Sequence, residues 1–508
     1  MKLFGLLPWN RPRPNTDGPT LDRPHLNGTI NTPGGAPACA ENARASDVPR
    51  RLTISAAAAS EALAKFLDDA PAFSQPETLR NQLRALVADA FRADPLFLCA
   101  MHTIEQLFDP SLADPAGLTL DPRDTIFRRN SLDLHVYVEP VDRPADSPPV
   151  RATGQAEDCL AEGLDDWSVF RVLNLALMST IPPSRQVAIV TSVRNEGLGL
   201  LEWIAFHRSV GCDTFFVYTN DNTDGSDALL LALAEHGIIK IISNSVADGV
   251  RVQAKVLEHS LHLLPELRAF EWVFYIDVDE FFVSRCEPDL TLGSFFHRLQ
   301  DAFPGDAPAA VAFNWKWFGS ENAFEITDGF LLERFMHSIH NEHVKCLVHL
   351  RDIISMQRVH VPTLVHGRWL VNSGFERADP SIHMKPVYGN GQINHYWNKS
   401  FQEFVLKRAR GRISAGLGAP PLEFNTFFDW GANGRRGNFD PPPERVLDRM
   451  KREYATLHAL PGIAAHLATV RGRCDMLLDE LGAGLDISGI YERRGQPEHS
   501  AVPLGHDN

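Results

Sequence analysis

The chain has 508 residues, and 49 Lys plus Arg against 64 Asp plus Glu leave a formal net charge of -15. That sign is wrong for a whole-chain polyanion binder, so nucleic acid is not an expected partner. At roughly 150 residues per domain the length allows about three units, and 44% hydrophobic with 22% charged residues is a globular composition. No apolar run has the length of a membrane span, and the opening residues 1–7 are too short for the apolar part of a secretory signal. The expectation is a cytoplasmic protein without a transmembrane segment, with peripheral membrane contact still compatible. Cys39, Cys99, Cys159, Cys212, Cys286, Cys346 and Cys474 are odd in number and never spaced C-x-x-C, which favours reduced thiols over a disulfide framework or a zinc ribbon.

Residues 1–50 carry eight prolines among Asn, Gly and Asp and read as a disordered arm, because little apolar surface is available to offset ordering entropy. Residues 51–150 read as a mostly helical accessory region. Leu79, Leu83, Leu86, Val87, Ala90 and Phe91 recur at helical spacing, Ser74 with Glu77 offers a capping box, and helices are expected over about 55–108. A short strand follows at 132–138, then a proline-rich link at Pro140, Pro144, Pro148 and Pro149 that suits a domain boundary.

From 185 the pattern becomes regular. A β-branched apolar run at 187–193 predicts a strand covered on both faces, and 198–210 predicts a helix ending at Gly211. Strands at 214–219, 238–242 and 272–276 alternate with helices at 227–236 and 252–264. Such βαβ units build a parallel sheet whose ligand edge is at the strand carboxyl ends. Beyond this come a strand at 310–314, a loop rich in Trp, Phe, His and Gly to about 398, and a helix over 400–410 with a Ser400/Glu403 capping box and a Gly411 stop. Residues 441–483 read as helical, and the last 25 as a loose tail.

The sharpest chemical feature is the strand ending in Asp277-Val278-Asp279-Glu280. Carboxylates gathered at the end of a buried strand repel one another and lose solvation, which a divalent cation offsets. Asp277 and Asp279 share a face of extended chain, and hard oxygen donors suit Mg²⁺ or Mn²⁺; the alternative is a strand end with solvated acids. The first strand runs into Thr191-Ser192-Val193-Arg194-Asn195-Glu196-Gly197 before a helix, where backbone amides can hold an anion, although Asn195 and Glu196 equally suit helix capping. Asp221, after the second strand, can accept hydrogen bonds from a base or ribose or can sit in an Asx-rich turn.

These pieces, with Leu201-Glu202-Trp203, Gln253, Trp317-Phe318-Gly319-Ser320, Asn394-His395-Tyr396 and Lys399-Ser400, occur in an order that resembles a nucleotide-sugar glycosyltransferase of the GT-A type, similar to the family 2-like and family 92-like groups. The resemblance spans 187 to about 412. It implies an α/β fold, a Rossmann-like nucleotide-binding sheet with flanking helices, over a domain at 185–440, followed by C-terminal helices and tail at 441–508. It also implies a metal-dependent, hexosyltransferase-class enzyme. The donor would be a nucleoside diphosphate sugar, and the acceptor a hydroxyl of a glycan, lipid-linked sugar or protein. Carried onto this sequence, it points to Thr191, Arg194, Asn195, Glu196, Asp221, Gln253 and Asp277 for the nucleotide. It points to Asp277, Asp279 and His395 for Mn²⁺ or Mg²⁺.

Glu321, just after the Phe-Gly-Ser motif, is a candidate catalytic base, with a solvated loop acid as the alternative. Trp315, Trp317, Tyr396 and Trp397 suit either a sugar-stacking platform or core packing. Lys345 is a candidate phosphate contact, in a segment less basic than the family's. The purpose of His360-Val361-Pro362 is not evident from sequence. His337, His340 and His343 do not form a known zinc arrangement. The basic run from Lys407 to Arg412 suits a solvated helix face or a diphosphate contact. Two other readings compete: a sugar nucleotidyltransferase, for which the Gly-rich, Lys-containing loop after the first strand is missing, and a catalytically silent sugar-binding or scaffold protein.

Overall fold

A computed structural model describes residues 151–153, 158, 160–161 and 183–494, apart from 357, 366, 412–421, 432–436 and 485. The expected arm at 1–50, the helical region at 51–150 with its strand and proline link, and the tail beyond 494 lie outside the described residues. In chain order the elements begin with β1 (Arg151–Thr153), β2 (Arg185–Val193), α1 (Gly197–Ser209), β3 (Phe215–Thr219), α2 (Ser226–Glu235), β4 (Lys240–Asn244), α3 (Val252–Leu263) and β5 (Phe270–Tyr275). Then come β6 (Glu280–Ser284), α4 (Leu292–Ala302), β7 (Ala310–Phe318), a single turn α5 (Leu331–Arg334), β8 (His337–His349), β9 (Ile353–Ser355), β10 (Thr363–Leu364), β11 (Leu370–Asn372), β12 (Arg377–Ala378) and β13 (Gly391–His395). The chain continues with α6 (Phe401–Arg410), α7 (Phe424–Gly431), β14 (Asn438–Phe439), α8 (Glu444–His458), α9 (Ile463–Gly484) and α10 (Ile487–Arg494).

The main sheet has the strand order β1-β4-β3-β2-β5-β8-β7-β11-β12, with β13 bridging β6 and β7 and β14 beside β8. Pairing is parallel from β1 through β5, with Ile189 opposite Phe215 and Val190 opposite Tyr275. It turns antiparallel at β8, which lies between β5 and β7. This is a mixed α/β sheet flanked by helices, as a GT-A-like fold requires.

The continuous apolar run of β2 follows from its burial on both faces, because alternate side chains enter opposite cores. Val187 and Ile189 pack with Trp203, Phe206 and Phe281 on one side. Ala188 and Val190 pack with Phe216, Val256, Leu261 and Val273 on the other. Val446, Met450 and Val470, from α8 and α9, belong to the first of these cores. The described cysteines Cys212, Cys286, Cys346 and Cys474 are free and buried.

Two stretches depart from the sequence expectation. The loop expected up to 398 contains the 13-residue strand β8. Its first half is histidine-rich and only partly covered, so apolar periodicity is confined to residues 344–348, and the strand exists because β7 and β5 pair with it from far away in sequence. Within the expected tail, Ile487–Arg494 is helical, held by Ile490 and Tyr491 packing on a cluster around Phe401 and Phe427. The helical stretch expected at 441–483 is broken into α8 and α9 at Gly462, whose φ of 82° is left-handed.

Candidate active site

The chain leaves β2 toward β3 and β4 on one side, whereas β5 lies on the other side of β2. A crevice opens at such a reversal, outside the strand carboxyl ends. Beyond Tyr275 the chain makes a tight turn and re-enters the sheet as β6. The turn is closed by the Glu280 N–H donating to the Asp277 carbonyl at 3.0 Å and by the Asp277 N–H donating to Glu280 Oε2 at 3.0 Å. Glu280 is fully buried, and burial, opposed by Lys345, pushes its carboxyl well above the usual range.

Pairing of β13 with β6 sets His395 opposite Glu280, and the Tyr396 N–H donates to the Asp279 carbonyl at 2.8 Å. His395 Nε2 therefore stands 3.5 Å from Asp279 Oδ1. Its other nitrogen, Nδ1, is buried with no hydrogen-bond partner among the described residues, and burial, against the pull of Asp279, lowers its pKa and favours the neutral ring.

A cavity of about 560 Å³ opens here, lined by Asp277, Asp279, His395, Gln253, Glu196 and Ser192 together with Trp315, Trp317, Trp397, His343, His360, Lys407 and Arg410. Asp277 accepts from Gln253 Nε2 on Oδ1 at 2.7 Å and from Lys345 Nζ on Oδ2 at 3.1 Å. Asp279 accepts from Lys407 Nζ on Oδ2 at 2.9 Å. Burial alone would raise the Asp279 carboxyl, but Lys407 and His395 outweigh it and hold it well below the usual carboxylate range. Lys345 is 2% exposed; burial pulls its pKa down, and Asp277 with Glu280 more than reverses this.

The aromatic wall combines ring faces with imidazole nitrogens. Trp315 stacks on His343 with centroids 4.9 Å apart and 13° between planes, and its Nε1–H is buried without a partner among the described residues. Burial lowers the His343 pKa to about 4 and that of His360 to about 3. His360 Nδ1 lies 2.9 Å from the Val344 carbonyl oxygen, which fixes the proton on that nitrogen and leaves Nε2 as an acceptor.

The sequence candidates fall into two groups. Glu196, Gln253, Asp277, Asp279 and His395 share the cavity. Asn195, in left-handed backbone at φ 51°, uses its side chain to latch the loop after β2 to the loop after β3, through the Thr223 N–H at 2.7 Å and the Thr223 hydroxyl at 3.0 Å. Thr191 is buried with its hydroxyl unpartnered among the described residues, while Arg194 offers its carbonyl to Arg410. Asp221 is exposed and accepts from Asn220 Nδ2 at 2.9 Å. Glu321 is not among the cavity-lining residues; its carboxylate accepts from the Met336 and His337 N–H groups at 3.1 and 2.8 Å and faces His337 Nδ1. The sequence reading singled out Lys345 as a phosphate contact and the 407–412 run for its charge, but not the pairing of Lys345 with Asp277 or of Lys407 with Asp279, which join residues 68 and 128 positions apart.

The two carboxylates at the cavity edge are hard oxygen donors of the kind Mn²⁺ and Mg²⁺ take. Among the described residues no group of three or more His, Cys, Asp or Glu side chains is gathered to hold a metal, and each aspartate faces an ammonium group. The carboxylates are of the chemical kind that such a cation takes, and each is held by an internal lysine partner.

Residues 192–415 match the family model of glycosyltransferase family 92, the segment that holds β2's end, the aspartate turn, the aromatic wall and α6. The resemblance drawn from the motifs is thus borne out over that segment. The chain is 35% identical over 100 residues to a glycosyltransferase family 92 protein of Ricinus communis, covering 19% of this chain and 17% of that protein. It is 26% identical over 98 residues to a glycosyltransferase family 92 protein of Oryza sativa subsp. japonica, covering 19% of this chain and 16% of the other. The chain therefore aligns with about a sixth of the length of these curated relatives. No helix among the described residues is long and apolar enough to cross a membrane.

Proposed function

We propose that the chain is a glycosyltransferase moving a sugar from a nucleoside diphosphate donor to a hydroxyl of a glycan, lipid-linked sugar or protein. One observation carries this reading: Asp277 and Asp279 share a cavity with the loop after β2, at the reversal point of a parallel sheet, inside the segment that matches family 92. Asp277, Asp279 and His395 would hold Mn²⁺ or Mg²⁺. A divalent cation supplies charge neutralisation to a diphosphate leaving group.

The chain's own residues do the positioning. Gln253 orients the Asp277 carboxylate, and the 276–279 turn, locked by Glu280, keeps both aspartates at the cavity edge. Thr191, near the carboxyl end of β2, and Arg194, Asn195, Glu196 and Asp221, on the loops after β2 and β3, would receive the nucleoside, with Asn195 holding those loops in register. Trp315, Trp317 and Trp397 offer apolar faces to sugar rings and exclude water.

The test is a panel of nucleotide sugars incubated with Mn²⁺ or Mg²⁺, scored by release of the nucleoside diphosphate, with Asp277→Asn and Asp279→Asn in parallel. Turnover of one donor, lowered on the order of a hundredfold or more in both variants, is expected. A folded wild-type protein that neither binds nor turns over any donor with either cation overturns the reading.

A further inference from the structure

The rim of the cavity is already charge-balanced by the protein itself. Asp277 pairs with Lys345 at 3.1 Å, Asp279 with Lys407 at 2.9 Å, and Glu196 with Arg410. A dication entering this rim alone meets resident cations, and a diphosphate entering alone meets carboxylates. Either addition leaves uncompensated charge in a partly desolvated space.

Lys407 differs from Lys345 in being able to respond. Lys345 is sealed in the sheet and does not line the cavity, whereas Lys407 does. Lys407 rises from α6, a helix rooted by the Ser400/Glu403 capping box. Its ammonium also donates to the Trp397 carbonyl at 3.1 Å and lies 4.4 Å from the centroid of the Trp397 ring. A lysine stem has several rotatable bonds, so its ammonium can change acceptor while its methylenes stay on an aromatic face.

We propose that Lys407 is the resident counter-ion of Asp279 and transfers its ammonium to the diphosphate when a divalent cation takes that carboxylate, so that cation and diphosphate enter as a neutral set. The inference rests on the reading of Asp279 as a cation ligand. No bond to carbon is made or broken in this exchange, and the lysine keeps its proton.

The experiment uses the full chain and two probes separately: Mn²⁺ alone, with free Mn²⁺ read by electron paramagnetic resonance, and metal-free pyrophosphate, read by calorimetry in the presence of a chelator. Lys407→Met removes the competing cation, so Mn²⁺ is expected to bind about five- to tenfold more tightly and pyrophosphate more weakly by a similar factor. Lys407→Arg keeps the charge and is expected to leave Mn²⁺ affinity within about twofold of wild type. A merely structural lysine would weaken both probes or neither. If Lys407→Met does not fold, Lys407→Gln carries the same expectation.

Unchanged or weaker Mn²⁺ binding in the folded charge-removing variant, with wild type binding Mn²⁺, overturns the counter-ion role and leaves the proposed function standing. Absence of Mn²⁺ binding in both overturns the cation site and this inference with it.

Discussion

Arg410, in the last turn of α6, pairs with the carboxylate of Glu196, the residue at the amino end of α1, from 214 positions away in sequence. The same guanidinium donates to the Arg194 carbonyl at 2.7 Å. Both side chains are nearly covered, with 7% and 11% of their surface exposed. The loop after β2 is thereby fastened to the helix that carries Lys407, so one ion pair connects two walls of the cavity.

Arg410→Met should leave Glu196 with the more distant Lys399, at 3.9 Å, as its nearest cation among the described residues. A covered carboxylate that loses its main partner costs about 3 kcal/mol or more. Urea denaturation is expected to show a loss of that order, and the double variant Glu196→Gln/Arg410→Met should recover much of it, because no charge is then left unpaired. Equal stability of the single variant and wild type would contradict the linkage.

Gln253 reaches the site from the first turn of α3 and holds Asp277 Oδ1 at 2.7 Å. Residues that orient a ligating carboxylate typically contribute 10- to 100-fold to metal affinity or activity. Gln253→Leu is therefore expected to lower Mn²⁺ affinity by roughly tenfold or more with little change in melting temperature. The check is a Mn²⁺ titration beside a thermal melt.

Trp315 is 8% exposed and its Nε1–H has no partner among the described residues. Trp315→Phe keeps a ring against His343 and His395 and removes the orphaned donor. Stability should hold or rise slightly, while under the proposed function the Michaelis constant for the sugar donor should rise about fivefold, the value of one neutral hydrogen bond from the indole N–H. Opposite signs in a denaturation curve and a steady-state assay are the expected pattern.

Glu202 caps the turn α5, accepting from the Leu331 and Leu332 N–H groups at 2.9 and 3.3 Å. Burial raises its carboxyl to about 7 from an ordinary 4.5, against the opposing pull of those two amides. An acid with a raised folded pKa binds more protons folded than unfolded, so its contribution is complete below pH 4.5 and is lost as the pH climbs through about 7. The loss is on the order of 3 kcal/mol. Glu202→Gln should flatten the stability profile over that interval relative to wild type, measured by urea denaturation at several pH values.

What was legible in the sequence depends on the range of the interactions involved. The βα series from 187 to 276 and the helix at 400–410 were readable because the two-faced apolar run of β2, the cap at Ser400 and the stops at Gly211 and Gly411 act within a few residues. Asp277 and Asp279 stood out because three acids after a buried strand conflict with local solvation. β8 was hidden because its histidine-rich half, 337–343, has no apolar rhythm of its own and becomes a strand only between β5 and β7.

By itself, the sequence determined the sheet's parallel half and the position of the acidic turn, since propensity, periodicity and capping are local. Tertiary structure alone decided which cation faces which carboxylate: Lys345 on Asp277 across 68 residues, Lys407 on Asp279 across 128, and Arg410 on Glu196 across 214. Charge at a site is a sum over everything within a few ångströms in space, and chain folding, not spacing along the sequence, sets which residues come within that distance.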